Sequence, residues 1–292
     1  MTTRPGGSPR GSTAGLLELA TTMAVAAGRL LLGQGGRPEV VATKSSPTDV
    51  VTEADRAAEA LIRGLIGEAR PGDRILGEEG GETGGAGGQG GMSSVRWIVD
   101  PLDGTVNYLY GLPDWAVSIA AEADGTVVAG AVFVPRRDEL FSAALGGGAW
   151  LSWGSLDPRG EDPPQPVRLA CNTGVRLDRA LVATGFGYEA GRRLIQGEVL
   201  AGVLPRVRDI RRGGSAAVDL CSVVSGSVDA YYERGVNLWD IAAGSLIAAE
   251  AGAQVTGLYG RPASSAMTVA AAPPLLGELR DLLASLDPER DG

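Results

Sequence analysis

The chain contains no histidine. That absence excludes a Ser-His-Asp triad, a Cys-His pair, a phosphohistidine route and a His-ligated zinc together. Catalysis, if present, must run on carboxylates, hydroxyls, lysine or arginine, and hard metal ions. Cysteine is nearly absent as well. Cys171 and Cys221 have no Cys partner nearby in sequence, so they read as reduced, buried thiols rather than a disulfide framework or a zinc site, which fits the cytosol. No uninterrupted apolar run is long enough to span a membrane. The most apolar early stretch, 16–32, carries Glu18 and Arg29. Arg4 and Arg10 upstream invite a signal-peptide reading, but Glu18 inside the would-be apolar core counts against it. Excess positive charge is also lacking: the net charge is -9 and the pI about 4.7. Such a surface repels nucleic-acid phosphates and anionic lipid, so neither is expected as a partner.

What the chain does have is an ordinary globular balance over 292 residues, 44% hydrophobic and 21% charged, enough for a substantial core in one large or two modest domains. Residues 1–13, rich in Gly, Ser, Pro and Arg, are expected to form a disordered tail. Leu16, Ala20, Met23, Ala27 and Leu31 recur at helical spacing, which predicts an amphipathic helix over 14–33. A second helix is expected over 54–69, ending near Pro71-Gly72. Eight of the twelve residues from Gly80 to Gly91 are glycine, so this stretch reads as a flexible inserted loop. Strands are expected at 97–99, 117–121, 127–133 and 139–143, with turns at Asp124-Gly125 and Pro135 to Asp138, forming an antiparallel meander. The proline-rich stretch 154–166 is the candidate boundary between a domain at 14–155 and one at 156–292. Beyond it, strands at 167–170, 181–184, 228–232 and 267–271 alternate with helices starting near Ser215 and Asp240, the latter ending at Gly252. That alternation suggests a layered α/β arrangement.

The chemistry concentrates in WIVDPLDGTVNY, residues 97–108. Asp100 and Asp103 lie three apart at a strand end with Pro101 stiffening the turn, and the Leu102 carbonyl is beside them. Oxygen donors clustered in this way suit Mg²⁺. Gly104 and Thr105 follow at an apparent helix start, where backbone N–H groups are free to receive a phosphate. Taken alone, Asp-Gly is equally an ordinary turn and Asp103 a helix cap. Glu78-Glu79 alone reads as a solvated pair. The Asp49 to Asp55 cluster and Asp240 alone read as helix caps.

Together these segments form a pattern. KSSPTDVVTEAD at 44–55, ILGEEG at 75–80, WIVDPLDGTVNY at 97–108, RRGGSAAVDLC at 211–221 and DAYYERGVNLWDIAAG at 229–244 resemble, in order and over most of the chain, the inositol monophosphatase family of lithium-sensitive magnesium phosphatases. The resemblance implies a five-layer αβαβα sandwich, an α+β or α/β fold usually found as a homodimer, with most metal ligands in the first half. It implies two or three Mg²⁺ ions on Glu78, Asp100, Asp103, Asp240 and the Leu102 carbonyl. Asp55 would orient Thr105, and Thr105 with Glu78 would position and deprotonate a metal-bound water. Gly104 and Thr105 would hold the phosphate of a small phosphorylated metabolite. Gly214, Ser215, Ala216 and Glu233 would contact its hydroxyl-bearing part. VNY after DGT is similar to the segment in monophosphatases acting on inositol or sugar phosphates, so inositol 1-phosphate leads, with histidinol phosphate and fructose 1,6-bisphosphate as rivals. Some bacterial relatives associate with transcription or ribosomal RNA machinery, which leaves a regulatory binding role open.

Other residues carry weaker signals. The glycine-rich loop directly after Glu79 suggests a mobile flap. Arg206, Arg208, Arg211 and Arg212 form a basic run that reads first as a solvated face and second as an attractor of substrate phosphate or a dimer contact. Trp97, Trp115 and Trp239 are expected in the core or the site wall, and Lys44 on an exposed loop.

Overall fold

The computed structural model of the chain describes residues 12–34, 40–43, 50–84, 94–154 and 165–290. Of the expected tail over 1–13, residues 1–11 lie outside the described residues, as do Lys44, Asp49, glycine-loop residues 85–91 and boundary residues 155–164, while Ser12 and Thr13 belong to the start of the first helix.

Helix α1, Thr13–Gly33, opens at Ser12, whose side chain accepts from Gly15 N–H, and its buried face includes Leu16, Ala20, Met23, Ala27 and Leu31, the helical stripe read from the sequence. By length and composition α1 could cross a membrane, yet that stripe packs on a sheet. A short hairpin of β1, Val40–Thr43, and β2, Val50–Thr52, leads into α2, Glu53–Ala69. Thr52 and Asp55 form a capping box at the start of α2. The segment then continues as β3, Arg74–Gly77; β4, Gly81–Thr83; β5, Val95–Asp103; and a short helix α3, Thr105–Tyr110. The meander follows as β6, Ala116–Ala123; β7, Thr126–Val134; β8, Glu139–Ala144; and β9, Ala149–Ser152. Asp124 and Gly125 both have positive φ and join β6 to β7 as a two-residue turn, whose twist suits a right-twisted hairpin.

The second half begins with β10, Val167–Leu169, which pairs with β9 at the edge of the first sheet, rather than joining the later strands it precedes. Then come β11, Leu181–Thr184; α4, Ala190–Val203; β12, Asp209–Arg211; α5, Ala216–Val224; β13, Ala230–Glu233; α6, Leu238–Glu250; β14, Gln254–Thr256; β15, Thr268–Ala271; and α7, Pro273–Ser285. The eight-stranded sheet runs β10-β9-β8-β7-β6-β5-β3-β4 and the five-stranded sheet β12-β11-β13-β15-β14.

Strand periodicity sets the layers. Trp97, Val99, Val117, Ile119 and Phe133 turn one face of the large sheet to α1 and α2. Ile98, Ala120 and Val132 turn the opposite face to α5 and α6, and Ala183, Tyr231 and Ala270 of the small sheet close that layer from the other side. Val182, Ala230, Tyr232 and Val269 face outward to α4 and α7. The order is helix, sheet, helix, sheet, helix: the five-layer αβαβα sandwich. The middle helix α6 carries Ala242, Ala243 and Gly244, small enough to let two sheets approach it closely. Trp97 and Trp115 are core residues, and both cysteines are buried and unpaired.

Candidate active site

The carboxyl end of β5 meets the N-termini of α3, α5 and α6 around one pocket of about 360 Å³, with the start of α2 behind Thr105. Glu78, Asp100, Leu102, Asp103, Gly104 and Thr105 enter from the first half, and Gly214, Ala216, Glu233 and Asp240 from the second. Residues up to 162 apart in sequence thus share one cavity, and the strand register is what brings them there. Glu78 follows the end of β3, which pairs in parallel with β5, and its N–H donates to Val99 O at 3.2 Å.

Three of the carboxylates have one oxygen tied to the scaffold. Asp100 Oδ1 accepts Leu102 N–H at 3.0 Å. Asp103 Oδ2 accepts the Ser215 hydroxyl and Ala217 N–H, both at 2.6 Å. Asp240 Oδ2 accepts Asn237 N–H at 2.6 Å. Asp240 is therefore the third residue of α6, in a capping box with Asn237, and the helix starts earlier than the sequence reading placed it. All three carboxylates line the pocket.

Like charge and burial act together here. Asp100 is held well above its ordinary value, first by burial and then by the charges of Glu78, Asp103 and Asp240. Asp240 is pushed well up by burial, then by Asp103 and Glu78, with Asn237 N–H opposing. Burial raises Asp103 too, against the pull of its hydrogen bonds to Ser215 and Ala217. Among the described residues no three such groups close into a preformed metal cage. The donor set itself, four carboxylates and the Leu102 carbonyl on one pocket, fits a hard divalent cation, whose charge would reverse the sign of this potential.

Thr105 Oγ1 lies 3.1 Å from Asp55 Oδ1 and 3.2 Å from the Leu102 carbonyl. Asp55 is buried, and its other oxygen accepts Thr52 N–H at 2.8 Å. Gly104 has φ +92°, and a Cβ there would lie 3.0 Å from Asp114 O and 3.2 Å from Ser215 Cβ. Only glycine leaves this backbone both left-handed and open to close approach. Ser215 stands behind the wall as the N-cap of α5, with its hydroxyl turned to Asp103, while Gly214 and Ala216 on either side line the pocket. Glu233 Oε2 accepts the Tyr231 hydroxyl at 2.9 Å. Burial lifts Glu233 to about 7, against the Tyr231 hydrogen bond and with Asp103 adding and Arg212 opposing.

Several residues at the site escaped sequence reasoning. Asn107 Nδ2 donates to Asp114 O at 2.5 Å and to Gly213 O at 2.9 Å, bracing α3 against the Gly213–Gly214 loop. Phe186, Tyr188, Arg192 and Arg234 form much of the wall nearest α4, and no local pattern marks them. Of the basic run, Arg212 reaches the pocket, whereas Arg211 pairs with Asp209 and Arg208 donates to Arg179 O. Trp239 is a wall residue.

Known proteins resemble this chain over most of its length. Inositol-1-monophosphatase SuhB of Mycobacterium tuberculosis is 48% identical over 246 residues, covering 84% of this chain and 81% of that protein. Nus factor SuhB of Pasteurella multocida is 36% identical over 268 residues, covering 90% and 94%. The solved structure of Mycobacterium tuberculosis SuhB matches with a TM-score of 0.77 at 43% identity, covering 96% of this chain and 100% of that one. The inositol monophosphatase family model matches residues 13–288, a span that includes every candidate site residue, and the chain belongs to the inositol monophosphatase family.

Proposed function

We propose that the protein hydrolyses a small phosphate monoester with Mg²⁺, with inositol 1-phosphate first among its substrates, as a cytoplasmic homodimer. The observation that carries this reading is the gathering of Glu78, Asp100, Asp103 and Asp240 with Thr105 on one pocket. Glu78, Asp100, Asp103, Asp240 and the Leu102 carbonyl would hold two or three Mg²⁺, which when bound supply neutralisation of the phosphate, acidification of water and stabilisation of the departing oxygen.

The chain's own groups do the rest. The Thr105 hydroxyl has a single proton. Donated to Asp55 at 3.1 Å, it leaves the oxygen lone pairs to accept from the attacking water and frees the Leu102 carbonyl as a ligand. Glu78, on the opposite arm, takes the proton that the water loses. The backbone N–H groups of Gly104 and Thr105 receive the phosphate, which the glycine's missing Cβ lets approach. Gly214, Ala216 and Glu233 face the hydroxyl-bearing part of the substrate, and Ser215 serves by orienting Asp103. No covalent phosphoenzyme is required.

The experiment is phosphate release from inositol 1-phosphate, histidinol phosphate, fructose 1,6-bisphosphate and 3′-phosphoadenosine 5′-phosphate, with Mg²⁺, with chelator and with Li⁺. Preference for inositol 1-phosphate, lost with chelator and inhibited by Li⁺, is the expected outcome. Preference for another substrate moves the substrate and keeps the mechanism. No release from any substrate refutes it.

The name Nus factor borne by the Pasteurella multocida relative favours a second reading, a regulatory binding role beside catalysis. Recovery of transcription components with an Asp103→Asn variant would support it, and their absence from the eluate would count against it.

A further inference from the structure

Asp55, Glu59 and Arg63 recur every four residues along α2 and so form one polar stripe, while Ala58, Ile62 and Ile66 face the core. Asp55 reaches Thr105. Glu59, one turn further on, is only 3% exposed, and it reaches the other arm of the site. Its Oε2 accepts Glu79 N–H at 2.8 Å and its Oε1 accepts Gly80 N–H at 2.8 Å. Arg63 Nε donates to Glu59 Oε1 at 2.7 Å. The same guanidinium closes the hairpin beyond, donating to Gly81 O at 2.7 Å and Thr83 Oγ1 at 2.5 Å. The carboxylate fits there because residues 77 and 80 are glycine: a Cβ on either would come within 2.7 Å of Glu59 Oε1.

We infer that Glu59 is a positioning residue for Glu78. The backbone of Glu78 is held on one side by Val99 O and on the other by Glu59, through the two amides that follow it. An α-helix fixes side chains four residues apart within one turn, so Asp55 and Glu59 make α2 a splint that sets Glu78 relative to Thr105. The inference rests on the reading that Glu78 and Thr105 handle the attacking water. A splint matters for such a pair because small misplacements of reacting groups lower turnover steeply.

The test is Glu59→Gln in the full chain with Mg²⁺. The amide keeps the side chain's size but sets an NH₂ against backbone N–H donors. The expected result is a kcat lower by roughly ten- to a hundredfold, a KM changed by less than about twofold, and faster hydrogen exchange at the amides of residues 79 and 80. Leu283→Ala, in the distant cluster under α7, should lower the melting temperature and leave kcat unchanged, which separates positioning from general loosening. Gly80→Ala, which crowds Glu59 without altering charge, should lower kcat in the same way and serves if Glu59→Gln does not fold. Parent-like kcat in the folded Glu59→Gln or Gly80→Ala protein, with Thr105→Ala impaired, would overturn this inference alone. A parent chain inactive on every substrate would overturn the phosphatase reading beneath it.

Discussion

Replacing Asp219 by Asn removes a buried titrating carboxyl from the first turn of α5. Asp219 is 4% exposed, and its Oδ2 has no hydrogen-bond partner. Burial lifts its pKa to about 8, with the charges of Glu233 and Asp103 adding and Arg212 opposing. In the unfolded chain the group returns to near 3.8. The folded state therefore binds the proton more tightly, and this one group's contribution to stability falls as pH rises from about 4 to about 8, then levels off. Between pH 5 and pH 8 the linked loss is on the order of 3 kcal/mol, or roughly 6–12 °C in Tm for a chain of this size. The asparagine variant lacks that slope. The assay is thermal or urea unfolding of both proteins at pH 5, 6, 7 and 8, in chelator so that no metal links to folding. Asp100, Asp103, Asp240 and Glu233 titrate in both proteins, so the difference between the two curves reports Asp219 together with its charge coupling to Glu233 and Asp103. The variant should gain on the parent steadily as pH rises. A difference constant to within about 0.5 kcal/mol across the series would refute the claim that a buried, poorly partnered carboxyl is held neutral there.

Asp103→Asn should abolish turnover and raise the Mg²⁺ concentration needed for any residual activity, because the charge of a proposed ligand is removed from the shared pocket. Turnover retained in a Mg²⁺ titration would dismiss Asp103 as a metal ligand. Thr105→Ala should lower kcat more than it raises KM, since the role proposed for the hydroxyl lies in aligning water for the transition state; steady-state kinetics showing only a KM effect would move Thr105 to substrate binding. Glu233→Gln should shift the ratio of kcat/KM values across the four-substrate panel, and an equal loss on all four would remove Glu233 from the specificity role.

The elements most legible in the sequence were those with local periodicity. The stripe on α1 and the meander from Ala116 to Ala144 follow from 3.6- and 2-residue repeats, and the Asp124-Gly125 turn from residues that tolerate positive φ. Strand partnership was less legible. Nothing within Val167–Leu169 says that it pairs back onto Ala149–Ser152, because register is set by the partner strand rather than by the strand itself. Asp100 and Asp103 stood out by their spacing, and Glu78 and Asp240 only through the family resemblance, yet the supports of these carboxylates did not. Glu59 resembles any helix-surface glutamate until Gly77 and Gly80 are seen to make room for it. Asn107 looks like part of DGTVNY until Gly213, 106 residues later, is found at its amide.

The capping and site readings of the same aspartates turn out not to compete. A carboxylate has two oxygens, and a helix N-terminus needs only one of them. Asp55 caps α2 with Oδ2 and meets Thr105 with Oδ1. Asp240 gives Oδ2 to the first turn of α6, and Asp103 gives Oδ2 to the first turn of α5. Three helix N-termini, positive ends of their dipoles, thus meet Asp55, Asp240 and Asp103; burial still holds Asp103 and Asp240 above their ordinary values, with the charges of Asp103 and Glu78 adding at Asp240. The tie to the backbone restrains each side chain; the second oxygen of Asp55 meets Thr105, and Asp103 and Asp240 line the pocket. The cap reading thus holds for Asp55 and Asp240 as third residues of capping boxes, while Asp103 serves α5 rather than α3, whose N-cap is Gly104 without a side-chain bond; in each case the scaffold's own hydrogen bonds hold acidic groups together against their charge.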